Sequence, residues 1–304
     1  MTSDRVAELE SRLSRYKRLV ESLFQPQPAE KQYEILEIIG AGGYGDVKKA
    51  RHKDSGEIVA LKGIPFDPQS RFNSMVIQEV NNVMSLKADS NIVTYRDIFR
   101  DDHDRLNYVM EYCDFDLEVF MRNPKNRSLK NLFSIAHQTA RGTYVLHSSS
   151  PPIIHRDIKP ANILLQINPQ SGDICVKLCD FSISTMVATT AAGATTTFGA
   201  EPMRDNLTNS LVTLETIAGH GTRPYMAPEL LVASGKDGKF VFDASVDIFA
   251  LGLVMAYIFC YNTSSYGKFD LLCFGTIIKF TNDQIDHAYY FSNAHVPSKI
   301  RSLL

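Results

Sequence analysis

Val6, Leu9, Leu13, Tyr16, Val20 and Leu23 recur at alternating steps of three and four. That is a heptad seam, and it predicts an amphipathic helix over 3–24 with Ser3 or Asp4 as its cap. Such a seam serves either a coiled-coil-like self-association or a helix lying on the neighbouring domain. Because about three heptads are marginal alone, the second reading is favoured. "QPQPAE" at 25–30 breaks the helix, so residues 1–30 read as a helix and a linker.

From residue 33 the period shortens. "YEILEIIGAGGYGDVKKARHKDSGEIVALKGI" holds three short strand patterns, the first two joined by a glycine-rich turn and the last two by Asp54-Ser55-Gly56. A helical pattern runs through Glu79 to about Lys87. "NIVTYRDIF" and "LNYVMEYC" then read as strands on either side of the charged turn "RDDHDR". Residues 33–113 are expected to form a small, mostly antiparallel sheet with one helix.

Beyond Cys113 the pattern is mainly helical. Leu129, Leu132, Phe133, Ala136, Ala140 and Tyr144 predict one packed face of a long helix that Pro151 and Pro152 stop. "IFALGLVMAYIFCY" at 248–261 predicts a buried helix, and it is shorter than the ~20 residues needed to cross a bilayer. Residues 187–220, rich in Thr, Ala and Gly with little periodicity, are expected to form a long mobile loop. The expected class is α+β in two lobes, 33–113 and 114–304.

Length agrees with that division, since 304 residues exceed the usual single domain. A hydrophobic content of 44% supplies ample core, and a net charge of −2 gives no reason to expect nucleic acid as a partner. Five cysteines, an odd number without CxxC spacing, argue against a disulfide framework. The N-terminal apolar residues are dispersed among charges rather than run together as in a signal peptide. A reducing compartment is expected, cytoplasmic with the nucleus as the alternative.

Candidate chemistry begins with "GAGGYG", which fits Gly40-x-Gly42-x-x-Gly45 with Val47 following. Glycines let backbone N–H groups approach phosphate oxygens, but a glycine-rich hairpin turn explains the run equally simply and is favoured when it stands alone. A strand follows it, so it is no dinucleotide fingerprint. Lys62 closes "VALK" on an apolar strand and needs a partner there, for which Glu79 is well placed. "IIHRDIKPANILL" at 153–165 sets His155, Arg156, Asp157, Lys159 and Asn162 between apolar runs, and Asp180 follows another apolar run in "KLCDFS". Asp157, Asn162 and Asp180 thereby offer three hard oxygen donors near the ends of adjacent short strands, a set suited to Mg²⁺ bound with phosphates.

In order, "GAGGYGDV", "VALK", Glu79, "HRDIKPAN", "DFS", "GTRPYMAPE" and "DIFALG" resemble the motifs of the eukaryotic serine/threonine protein kinase family, over about residues 33 to 300. The resemblance implies a bilobal protein kinase-like fold that uses ATP and Mg²⁺ and transfers the γ-phosphate to protein Ser/Thr hydroxyls. By position it implies that Gly40, Gly42, Gly45 and Val47 cover the nucleotide. Lys62, held by Glu79, contacts the α- and β-phosphates. Ala60 and the gatekeeper Met110 line the adenine site, and backbone groups of Glu111 and Cys113 pair with the base. Asn162 and Asp180 hold Mg²⁺, Asp157 accepts the proton of the attacking hydroxyl, and Lys159 stabilises the developing charge. Lys159 resembles the serine/threonine rather than the tyrosine kinases. Asp247 braces the backbone at His155 and Arg156, while Thr222 and "RPYMAPE" form the platform for a protein substrate.

Arg156 beside Asp157 implies regulation by an activation-loop phosphate on Thr213 or Thr216, placed there by an upstream kinase. Ser182 stands where the family usually has Gly, which argues for a stiffer loop. Glu229 ordinarily pairs with an arginine beyond "IRSLL"; Arg301 is too early to serve, so the chain reads as truncated at its C-terminal end. Cys179 would face the ATP pocket, although a small core residue is the favoured reading over a redox role. His103 and His220 show no ligand spacing. The alternative is a pseudokinase scaffold, motivated by Ser182 and the missing segment. A small-molecule kinase is a further rival, against which "GTRPYMAPE" stands.

Overall fold

Five antiparallel strands make the first of two compact units in the computed structural model, which describes residues 28–42, 45–66, 91–149, 152–181, 183–189, 195–197, 212–214, 222–231 and 240–261. The units comprise Met1–Ala88 with Ile92–Asp114, and Asp89–Asn91 with Phe115–Leu304. The heptad seam, the helix around Glu79, and Ser182, Thr216, His220 and Arg301 lie outside the described residues.

In the first unit a short helix α1 (Ala29–Gln32) leads into β1 (Tyr33–Gly42), β2 (Gly45–His52), β3 (Ile58–Pro65), β4 (Tyr95–Arg100) and β5 (Arg105–Glu111), in the spatial order β1-β2-β3-β5-β4. Gly42 faces Gly45 where the first hairpin closes, and Gly56, at φ 71°, takes the left-handed position of the second turn. Leu106, Tyr108 and Val109 make β5 the buried spine of the sheet. On one face Tyr33 stacks on Phe99 with ring centroids 5.8 Å apart, over Ala50, Val59, Leu61 and Val109. Burial, reinforced by the charges of Asp97 and Glu57, pushes the Tyr33 hydroxyl up to about 12.

The second unit opens with β6 (Phe115–Asp116), α2 (Leu117–Arg122) and α3 (Leu129–His147). Asp116 caps α2 by accepting the Val119 N–H at 2.7 Å, and Ser128 caps α3 through Asn131 N at 3.2 Å. The predicted packed face of α3 is corrected by rotation about the helix axis. Leu132 and Ala136 are buried as expected, but with them go Ile135, Thr139, Gly142, Thr143 and Leu146, while Leu129, Phe133 and Tyr144 are 64%, 52% and 69% exposed. The threonines pass as apolar because their hydroxyls donate within the helix, to Ile135 O at 2.8 Å and Thr139 O at 3.1 Å.

Next come β7 (Ile153–Ile154), β8 (Ile163–Ile167), β9 (Ile174–Leu178), β10 (Thr185–Thr189), β11 (Thr195–Thr197), β12 (Val212–Leu214), α4 (Pro228–Leu231), β13 (Phe240–Phe242) and α5 (Ser245–Cys260). They form three small sheets, β6-β8-β9, β11-β10-β7 and β12-β13. The expectation of a structureless loop over 187–220 is therefore wrong for its described parts. Their Thr- and Val-rich segments favour strands once partners are present: Val187–Thr189 and β11 pair with each other, while β12 takes its partner, β13, from farther along the chain. As expected, α5 is mostly buried, with Val246, Leu253, Val254 and Ile258 inward, although Ile248 is exposed. No described helix is long and apolar enough to cross a membrane.

Candidate active site

The loop between β7 and β8 is held from beneath by one carboxylate. Asp247, on the first turn of α5 and without solvent exposure, accepts the backbone N–H of His155 and of Arg156, both at 2.7 Å, and bonds His147 Nε2 at 2.9 Å. Arg156 has φ 69°, a left-handed conformation that a residue with a Cβ adopts only when its surroundings enforce it. Its guanidinium lies over the Phe242 ring at 5.0 Å and donates to Ile183 O at 3.1 Å. Burial pulls it down to about 10, against the favourable charge of Asp247, so it stays protonated at neutral pH.

The loop so held presents Asp157, which is buried and bonded on both carboxylate oxygens. Oδ2 accepts Lys159 Nζ at 2.7 Å and Asn162 Nδ2 at 2.9 Å, while Oδ1 accepts the Thr222 N–H at 3.0 Å. Lys159 also donates to Thr222 Oγ1 at 2.6 Å. Four of the residues singled out from sequence thus meet here. Thr222, read there as part of a substrate platform, bonds both Asp157 and Lys159.

Asn162 ends the turn before β8 and Asp180 lies just past β9; these strands are paired, with Ile163 opposite Leu178. Cys179 ties the two ends together, its N–H donating to Asn162 O at 3.0 Å and its carbonyl meeting His155 Nε2 at 3.0 Å. Asp180 itself has φ 66°, and the buried Phe181 packs on the His155 ring at 5.0 Å. The strand before Asp157 needs a correction: β7 pairs with β10 in another sheet, so Asp157 is linked to the β8–β9 pair through Asn162 and His155 rather than through strand adjacency. Among the described residues no group of three or more His, Cys, Asp and Glu is gathered for a metal, and Asn162 with Asp180 is a smaller pair of hard donors.

In the first unit Lys62 is half-buried on β3, opposite Val47 of β2 and Tyr108 of β5. Its expected partner Glu79 lies outside the described residues. Ala60 and Met110 are cross-strand neighbours and both are buried. The Glu111 N–H donates to Thr94 O at 3.0 Å, so any base contact of Glu111 runs through its carbonyl; Cys113 lies two residues past β5. The glycines differ from one another. A Cβ on Gly45, at φ 135°, would stand 2.0 Å from Gly63 O, whereas one on Gly40 would make an ordinary 3.6 Å contact with Val47, and Gly42 closes the hairpin opposite Gly45. Gly45 is thus required by its own sheet.

The sequence reading missed His147 and the left-handed backbone at Arg156 and Asp180. Of these only His147 left a trace, as a histidine in the last turn of a predicted helix. Among the remaining candidates, Thr213 is on β12 opposite Val241, Glu229 is half-buried on α4, and His103 is exposed beside Asp102.

The model of the protein kinase domain family matches residues 33–271, and the chain belongs to that family. It is 30% identical over 224 residues to serine/threonine-protein kinase 4 homolog B of Dictyostelium discoideum, covering 73% of this chain and 17% of that protein. Cyclin-dependent kinase-like 4 of Mus musculus is 32% identical over 228 residues, 74% of this chain and 56% of that protein. The mitogen-activated protein kinase kinase SIPKK of Nicotiana tabacum is 29% identical over 235 residues, 75% and 56% respectively. The chain therefore spans about half, or less, of the length of these curated relatives.

Proposed function

We propose that this chain is an ATP-dependent serine/threonine protein kinase that moves the γ-phosphoryl group of ATP to a protein hydroxyl. The bond from phosphorus to the substrate oxygen forms, the bond to the β-bridging oxygen breaks, ADP leaves, and the hydroxyl proton passes to Asp157. The observation that carries this reading is the three-sided hold on the Asp157 carboxylate by Lys159, Asn162 and the Thr222 N–H. An acceptor fixed in this way is pre-organised for orienting a nucleophile, and Lys159 adds a positive charge for the phosphoryl oxygens.

The donor set suits Mg²⁺. Asn162 commits its amide nitrogen to Asp157, which makes its oxygen the ligating atom beside the Asp180 carboxylate, and both are hard donors. When bound, the ion supplies charge neutralisation to the phosphates. Lys62 is assigned to the α- and β-phosphates, with Glu79 as its partner. Gly40, Gly42, Gly45 and Val47 cover the nucleotide, and Ala60, Met110, Glu111 and Cys113 line its base. The relatives are named as serine/threonine-protein, mitogen-activated and cyclin-dependent kinases, which supports a protein substrate. Regulation is assigned to a phosphate on Thr213 or Thr216 that draws on the charge of Arg156, with an upstream kinase as partner and a cytoplasmic or nuclear setting.

The test is transfer from labelled ATP with Mg²⁺ to a generic serine/threonine substrate, beside Asp157→Asn. Loss of about a hundredfold or more in the variant is expected. Equal transfer by both proteins would refute the role of Asp157. Mg²⁺-dependent ATP binding without any transfer would leave the scaffold reading in its place.

A further inference from the structure

We infer that Asn91 and Gln138 together take the place of a further strand along the edge of β9, and that this edge positions Asp180; the functional part of the inference rests on the proposed role of Asp180. In the β6-β8-β9 sheet β9 is the outer strand among the described residues, and alternate residues turn their backbone groups away from β8. Four successive groups on that side are satisfied. Gln138 Nε2 donates to Ile174 O at 2.8 Å, and Gln138 Oε1 accepts Val176 N–H at 3.0 Å. Asn91 Nδ2 donates to Val176 O at 2.9 Å, and Asn91 O accepts Leu178 N–H at 2.9 Å.

The edge is itself locked. Asn91 Nδ2 also donates to Gln138 Oε1 at 3.1 Å, Arg141 Nη1 donates to Asn91 Oδ1 at 2.6 Å, and Gln138 Nε2 reaches Ser134 Oγ at 3.0 Å. The α3 backbone comes so close that a Cβ on Gly142 would meet Asn91 O and Leu178 Cδ1, each at 2.9 Å. Two amide side chains, an arginine and a glycine therefore converge on one five-residue strand.

Register is what such an edge controls. A slip of one residue along β8 would move β9 by ~3.3 Å and turn its side chains to the opposite face. The hold ends at Leu178, and the bonds of Cys179 to Asn162 and His155 carry it to Asp180, whose φ of 66° leaves little room for compensation. Gln138 and Asn91 are positioning residues that act through the backbone.

The test compares wild type, Gln138→Ala and Gln138→Glu as full chains, reading amide hydrogen exchange at Val176, Leu178 and Cys179 and the Mg²⁺ dependence of binding of a non-hydrolysable ATP analogue. Gln138→Ala is expected to speed exchange about tenfold at Leu178 and Cys179, which Gln138 does not touch, as well as at Val176. The Mg²⁺ needed for half-maximal binding is expected to rise about tenfold. Gln138→Glu keeps the acceptor for Val176 N–H but sets a carboxylate oxygen against Ile174 O in place of the Nε2 donor, so it is expected to recover only part of both effects. Faster exchange confined to Val176, or an unchanged Mg²⁺ dependence despite faster exchange at all three amides, would overturn the inference. If Gln138→Ala does not fold, Ser134→Ala, which removes one bond to Gln138, is expected to shift both readouts less but in the same direction, and no shift would be fatal. If wild type binds no Mg²⁺–nucleotide, the kinase reading fails, and the exchange pattern alone decides the edge.

Discussion

Asp247 makes the sharpest stability prediction, because one buried carboxylate supports a strained loop. Its oxygens accept two backbone N–H groups at 2.7 Å and bond His147 Nε2 at 2.9 Å. Alanine leaves both N–H groups buried without that acceptor. Hydrogen bonds to a charged group contribute about 1.5–3 kcal/mol each, so the pair is worth about 3–6 kcal/mol. Relief of the buried carboxylate's own desolvation offsets part of this, and each buried N–H left without an acceptor costs about 1–3 kcal/mol. The left-handed Arg156 limits the loss, since its backbone strain of about 1–3 kcal/mol is present in the wild type and is partly relieved once the restraint is gone. Urea unfolding of Asp247→Ala is therefore expected to show a loss of about 4 kcal/mol, with fast amide exchange at His155 and Arg156. Asp247→Asn, which retains one acceptor oxygen, is expected to fall between. A loss under about 1 kcal/mol with both amides still protected would refute the reasoning, because the N–H groups would then have found other acceptors.

Two further perturbations separate strain from charge. Gly45→Ala drives a Cβ to 2.0 Å from Gly63 O and is expected to cost about 2 kcal/mol or more, whereas Gly40→Ala, with its nearest contact at 3.6 Å, is expected to stay within about 0.5 kcal/mol; equal melting temperatures for the two variants would contradict this. Glu118 is held above the usual glutamate range, first by burial and then by Asp116, with Arg122 and Lys159 pulling the other way. A raised carboxyl contributes its stability below its unfolded pKa and loses it as pH rises through the folded value. Glu118→Gln is thus expected to raise the melting temperature at pH 7 and to flatten the stability gain on mild acidification. A lower melting temperature at pH 7 would show that its attraction to the charges of Arg122 and Lys159 dominates instead.

Much of the fold was legible because it is local. The two-residue period that begins at residue 33, the turns at Gly42–Gly45 and Gly56, and the prolines after His147 each act within a few residues, so they mark elements without knowledge of partners. The motif residues Asp157, Lys159 and Asn162 were legible for a similar reason, lying within six positions on one loop. Tertiary structure decided what depends on distant chain. Leu129, Phe133 and Tyr144 share a helical spacing as regular as that of Thr139, Gly142 and Leu146, and the chain packed against the helix, with Asn91 and Leu178 at Gly142, selects the second stripe for burial. Of the Thr-rich segments after Asp180, β10 and β12 take hydrogen-bond partners from distant β7 and β13, and β11 pairs with β10. Thr222 joined Asp157 across 65 positions. A propensity is a property of the neighbouring residues, but a buried face, a strand partner or a carboxylate's donor is a property of whatever chain folds against it.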